Sequence, residues 1–192
     1  MTGMEEAHKL LDGTSSPAQR TLYFCALLGR EAGLKDGLIV VGGSAIEIYS
    51  GGAYVSGDLD VVGRREALEH VLRAWGFHKD GRIWWSEGWK IALDIVSSQD
   101  YHGRTSLLRT IDTPFGRVRV AAVEDLIIGR LASTKHWKLP EELNQAILLV
   151  AEFGASLDRE YLELRAKKED VGDLLPELLA RAARVSKTER TP

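Results

Sequence analysis

Apolar residues along this chain follow two patterns, and the change from one to the other divides it. Up to about residue 121, short apolar runs bounded by glycine alternate with helix-like stretches; from Val123 the spacing is helical throughout. Ser16 and Pro17 suit the cap and first position of a helix, which the spacing carries to about Ala32 and Gly33 ends. Leu38 to Val41 and Leu59 to Val62 read as buried strands, Ser44 to Tyr49 as a short helix closed by Gly51-Gly52, and Glu66 to Trp75 as a helix ending at Gly76. Arg82 to Trp85 and Trp89 to Val96 read as antiparallel strands joined across Ser86-Glu87-Gly88. Leu107 to Ile111 and Val118 to Val120 form a second such pair, turning at Thr113-Pro114-Phe115-Gly116. Helices follow over Val123–Trp137, Pro140–Phe153, Asp158–Lys167 and Leu174–Val185. The expectation is an α/β (α+β) core over 1–121 and a helical region over 122–192 packed on it.

Chemistry concentrates in Val40-Val41-Gly42-Gly43-Ser44-Ala45 and Ser56-Gly57-Asp58-Leu59-Asp60-Val61-Val62. Successive glycines let a backbone approach an anion closely, and a helix start adds unpaired N–H donors, so the Gly42-Gly43-Ser44 corner suits a phosphate. The plain alternative is a structural strand-to-helix turn. Neither a Walker loop nor the spaced-glycine dinucleotide fingerprint is present. Asp58 and Asp60 sit two apart, so on a strand both carboxylates share one face while Leu59 and Val61 turn inward. Such a pair repels unless solvated or neutralised, and Mg²⁺ is a fitting counter-ion. A solvated turn at the strand entrance is the competing account. In Trp89-Lys-Ile-Ala-Leu-Asp-Ile-Val, Asp94 interrupts an apolar run, where a carboxylate needs a metal or an arginine. Arg130 shares a helix face with Val123, Leu126, Ile127, Thr134 and Trp137, so its guanidinium needs an anion: a structural carboxylate or a nucleotide triphosphate. Lys135 points away from that stripe and ranks below it as a nucleotide ligand.

Bulk properties narrow the setting. A net charge of −3 and a pI near 6.0 supply no global basic field for nucleic acid. Cys25, the only cysteine, excludes an internal disulfide and a cysteine-built zinc site. Met1 to Leu11 lacks an apolar signal core, and no apolar run approaches the roughly 18 residues of a membrane span, so the expected setting is the cytoplasm, without a membrane partner.

Taken in order, Gly42-Gly43-Ser44, Asp58-Leu59-Asp60-Val61 and Leu93-Asp94-Ile95 resemble the signature of the DNA polymerase β-like nucleotidyltransferase superfamily, over about residues 36 to 135. The Gly-Gly-x-Ala form and Ser56 ahead of the aspartate pair look most like AbiEii-type toxins and their minimal bacterial relatives. Val123-Glu124-Asp125-Leu126 matches a Glu-Asp-Leu of those proteins, while Arg130-Leu131 stands in place of Lys-Leu. Their later acidic pair falls near Glu142 and Gln145, so its second carboxylate is missing. The resemblance implies a nucleotidyltransferase fold, with a small mixed sheet and flanking helices. It implies Asp58, Asp60 and Asp94 as catalytic ligands of Mg²⁺ or Mn²⁺. Gly42, Gly43, Ser44, Arg130 and Lys135 would then bind a nucleoside triphosphate such as ATP. The acceptor would be a hydroxyl on tRNA, a protein or a small molecule, and a cognate antitoxin or a second copy would be the macromolecular partner. A nucleotidyltransferase-fold protein that binds nucleotide or a partner without catalysis is the alternative.

Several features carry no assignment. His70 and His78 have no third ligand at zinc spacing; Trp84, Trp85 and Trp89 read as hairpin packing rather than a stacking platform; Tyr101-His102-Gly103-Arg104 reads as a turn.

Overall fold

Helix α1 (Pro17–Glu31) opens as its sequence dictates, with the Ser16 hydroxyl accepting the Gln19 amide and Pro17 in the first turn. The computed structural model describes residues 13, 14, 16–96 and 103–188; Met1–Leu11, Ser15, Tyr101 and His102 lie outside them. The chain divides into two compact units, Met1–Ala121 and Ala122–Pro192.

In the first unit, β1 (Ile39–Val41) leads directly into α2 (Gly42–Tyr49), followed by β2 (Leu59–Val62), α3 (Arg65–Ala74), β3 (His78–Asp80), β4 (Ile83–Ser86), β5 (Ile91–Val96), β6 (Arg109–Thr113) and β7 (Gly116–Val120). The strands form one mixed seven-stranded sheet in the order β3-β4-β5-β2-β1-β7-β6. β2 runs antiparallel to β1 and parallel to β5, and β1 runs parallel to β7. The fold class is therefore mixed α/β.

Alternation sorts the strand residues. Val40, Val61, Leu93, Ile95, Val118 and Val120 lie on the sheet's fully buried face, against which α1 packs through β7. An aromatic cluster closes one end of this core: Trp89 stacks on Trp75 at 4.9 Å, and Phe24 meets both edge-on. The Trp89 indole also donates to the Trp75 carbonyl at 3.1 Å, so its one polar atom is satisfied inside the core.

Several boundaries differ from the sequence expectation, among them β6, found at Arg109–Thr113 instead of Leu107–Ile111, and three differences have a local reason. α2 begins at Gly42 rather than Ser44, because Gly42 at φ 61° turns the chain from strand into helix without a loop. β5 begins at Ile91 rather than Trp89, because Lys90 at φ 51° interrupts the extended backbone. β3 has no counterpart in the reading: all three of its residues are exposed, so no apolar alternation announces it.

The second unit contains α4 (Val123–His136), α5 (Glu142–Phe153), α6 (Arg159–Lys168) and α7 (Leu175–Thr188). Leu126, Ile127, Ile128 and Leu131 on α4 are buried, as are Ala146 and Leu149 on α5, Leu162 on α6 and Leu178 on α7. Trp137, placed on the Arg130 stripe by spacing, caps α4 and is exposed. Among the described residues, no helix is long and apolar enough to cross a membrane.

The three tryptophans of the β4–β5 hairpin make a stability comparison possible. Trp89→Ala should cost about 3–5 kcal/mol, as buried aromatic truncations do. Trp85→Ala, at a half-exposed position, should cost less than about 1 kcal/mol. Urea denaturation of the full-length variants measures both, and equal losses would contradict this division of labour.

Candidate active site on the sheet face

Register brings two of the expected aspartates together. Asp60 pairs with Asp94 across the parallel β2–β5 ladder, so their side chains stand next to each other on one face. On its other side Asp60 pairs with Val41, the residue before the glycine corner. A Cβ built on Gly42 would lie 2.2 Å from Asp60 Oδ2, so the Asp60 carboxylate fills the space that only a glycine leaves. Gly43 is constrained likewise, since a Cβ there would lie 2.5 Å from Ser56 Oγ. A side chain at either position would force the facing Asp60 or Ser56 side chain to move.

The corner is braced from beneath. Glu47 is buried within apolar Ala45-Ile46-Glu47-Ile48, and its carboxylate accepts Thr21 Oγ1 and the Ser56 amide, both at 2.8 Å. One side chain thus ties α2 to α1 and to the loop that delivers Asp58. Ser44 is buried too, and its hydroxyl donates to the Asp58 carbonyl at 2.7 Å. That hydroxyl is committed to the loop, so the corner's offer to an anion comes from its amides. The first amides of a helix lack intrahelical partners, and α2 has no side-chain cap.

Like charges side by side on a sheet destabilise it unless neutralised. Asp94 is buried, and Arg82 supplies the counter-charge, with Nε 3.3 Å from Oδ2. Arg82 is 80% exposed, so solvent screens this pair and holds its worth to about 1 kcal/mol or less. Asp58 is exposed, one residue ahead of β2, at a cleft of about 160 Å³ that Arg20, Ser44, Glu47, Ser56 and Lys90 also line. Among the described residues, no three or more His, Cys, Asp or Glu side chains are arranged to hold a metal ion. The donor chemistry still fits a hard cation, because Asp58, Asp60 and Asp94 offer only carboxylate oxygen and Asp60 lies against the glycine cradle.

Arg130 and Lys135 belong to the second unit, and both have carboxylate partners there. Arg130 Nη1 bonds Glu142 Oε2, with both side chains largely buried, so the structural carboxylate left open by the sequence is Glu142. Lys135 Nζ meets Asp173 Oδ1 at 2.8 Å, which raises the lysine's pKa and lowers the aspartate's. The Glu-Asp-Leu carboxylates serve the helices: Glu124 accepts the Asp158 amide ahead of α6, and Asp125 accepts Tyr161 Oη and Arg165 Nε.

Three residues important to this region carried no assignment in the sequence. A lone carboxylate inside an apolar helix was the signal for Glu47. Arg82 and Lys90 flank turns and gave no signal of their own. No family model and no curated protein sequence matches the chain.

Two measurements bear on this geometry. Gly42→Ala should destabilise the protein, and Asp60→Ala in the same chain should restore part of the loss, with a coupling of about 0.5–3 kcal/mol. Additive losses in that double-mutant cycle would mean that the two residues do not compete for space. Arg130→Ala should cost about 1.5–3 kcal/mol through its charged hydrogen bond, and much less in a Glu142→Ala background.

Proposed function

We propose that this chain is a nucleotidyltransferase-fold enzyme that moves a nucleoside monophosphate from a triphosphate to an acceptor hydroxyl, with Mg²⁺ or Mn²⁺ as cofactor. One observation carries the reading: Asp60 and Asp94 stand side by side on adjacent parallel strands, with Asp60 against the Gly42 corner. A structural role alone gives little reason to seat two carboxylates side by side, with the buried one, Asp94, paired to an exposed arginine.

In this reading Asp58, Asp60 and Asp94 would hold the cation. When bound, it would supply Lewis-acid charge to the phosphoryl oxygens. The amides at Gly42, Gly43 and Ser44 would receive the β- and γ-phosphates. The acceptor oxygen forms a bond to the α-phosphorus, the bond to the β-phosphate oxygen breaks, and pyrophosphate leaves. Asp94 would take the acceptor's proton. Arg82, exposed and weakly held, is free to turn toward the triphosphate as the charge on Asp94 is met by the cation. Arg130 and Lys135 already have carboxylate partners, so the triphosphate is left to the first unit's residues. The acceptor classes remain tRNA, a protein hydroxyl and a small molecule, and a cognate antitoxin or second copy remains the partner the resemblance implies.

The Arg82–Asp94 pair also favours a second reading, in which the arginine permanently replaces the cation and the protein binds nucleotide without transfer. A radiolabelled-NTP transfer assay against candidate acceptors separates the two.

Thermal unfolding tests nucleotide binding, which both readings share, and its Mg²⁺ dependence, which only the first requires. An NTP at millimolar concentration should raise the melting temperature only with Mg²⁺ present, because a ligand of the folded state stabilises it. At a hundred times its dissociation constant the gain is about 2.7 kcal/mol. Asp60→Asn should abolish the shift without unfolding the protein. No shift with any NTP and Mg²⁺ would sink both readings.

A further inference from the structure

The face that carries Asp60 and Asp94 continues across the sheet to an aromatic edge. Ile83 pairs with Asp94, so Trp85 pairs with Ala92 and points to the same side as the carboxylates. His78 on β3 pairs with Trp85 in turn, and the two rings lie 5.4 Å apart between centroids, tilted by 46°. Trp85 is 44% exposed, whereas its hairpin neighbours Trp84 and Trp89 are fully buried. The hairpin-packing account therefore covers two of the three tryptophans and leaves the third unexplained.

What lies between Trp85 and the aspartates is low ground. Ala92 occupies β5 in the Trp85 row, and Asp58 stands one residue short of Leu59, which pairs with Leu93. Two strand spacings, about 10 Å, separate the β4 and β2 backbones. A ribose and its first phosphate bridge such a gap, above a side chain no larger than a methyl group.

We propose that Trp85, backed by His78, is the stacking platform for the nucleobase of the nucleoside triphosphate, with the ribose over Ala92 and the phosphates toward Gly42 and Asp60. This assignment rests on the nucleotide reading above. Charge selects a mononucleotide over a nucleic-acid strand. A polyanionic strand needs a row of cations at its phosphates. Here Lys79 and Arg73 are both held by Glu69, and the chain's net charge is −3. Stacking is tolerant of base identity, because every base offers a π-face, so the platform supplies affinity more than base selection.

Calorimetric titration of the full chain, with Mg²⁺ present, tests the platform with two probes: α,β-methylene ATP and inorganic triphosphate. Trp85→Ala should weaken the nucleotide on the order of tenfold and leave the triphosphate unchanged, while Trp85→Phe should keep most of the nucleotide affinity. Quenching of tryptophan fluorescence by the nucleotide should fall in the alanine variant. Asp60→Asn should weaken both probes. Unchanged nucleotide affinity in Trp85→Ala, or equal weakening of both probes, overturns the platform and leaves the nucleotidyltransferase reading standing. Failure of the wild type to bind either probe overturns both. A single-stranded oligonucleotide that loses affinity in Trp85→Ala, while the nucleotide does not, overturns the platform as a mononucleotide site.

Discussion

Strand β2 lies between an antiparallel neighbour, β1, and a parallel one, β5, and everything at the candidate site follows from its register. Side chains alternate on a strand, so a slip of one residue would turn Asp60 into the face occupied by Val40, Val61 and Leu93. An unpaired carboxylate there costs several kcal/mol, and the displaced valine would meet the other face. Two contacts outside the ladder hold the same register. Gly42 has space for Asp60 only where Val41 faces it, and Ser44 reaches the Asp58 carbonyl from the first turn of α2. The strand, the corner and the loop are therefore one mechanical unit, and the geometry of the carboxylates is a by-product of core packing.

Buried polar groups show where the fold is self-sufficient and where it is not. Glu47, Ser44 and Glu124 are each satisfied by partners from the scaffold, through hydroxyls and backbone groups. Cys25 is sealed in near Glu47: burial, with the Glu47 charge adding, pushes its thiol far above the usual range and leaves it unreactive at neutral pH. Asp94 is the exception. Its ion-pair partner is a solvent-exposed arginine from a turn, an arrangement that a stronger cation would displace at little cost. That asymmetry is the physical content of the functional proposal.

The helical unit answers a different question. Its Glu124-Asp125 pair and its Arg130 all have neighbours that explain them as scaffold: α6 is tied to α4 through Asp125, Tyr161 and Arg165, and α5 to α4 through Glu142. The Glu-Asp-Leu stretch is thus accounted for by packing among the helices of this unit. The edge hairpin makes the opposite point, since Trp85 looks like its neighbours in sequence and differs from them only in the face it occupies.

Local rules made much of this legible in the sequence. The Ser16-Pro17 helix start, the apolar strands, the Thr113–Gly116 turn and the change to helical spacing after Ala121 depend on neighbours within a few residues, and the structure has each of them. A spacing of two also placed Asp58 and Asp60 on one strand face, whereas β2 begins at Leu59 and leaves Asp58 in the loop before it. Partners distant in the chain were not legible. Nothing near Asp94 in sequence points to Arg82, nothing near Arg130 chooses Glu142 over a phosphate, and three exposed residues gave no sign of β3. Which strands become neighbours decides which side chains meet, and that choice is made by burying the whole apolar face at once. Charge–charge contacts then fall where the packing leaves them, so the sequence named the carboxylates while only the tertiary structure could set them side by side.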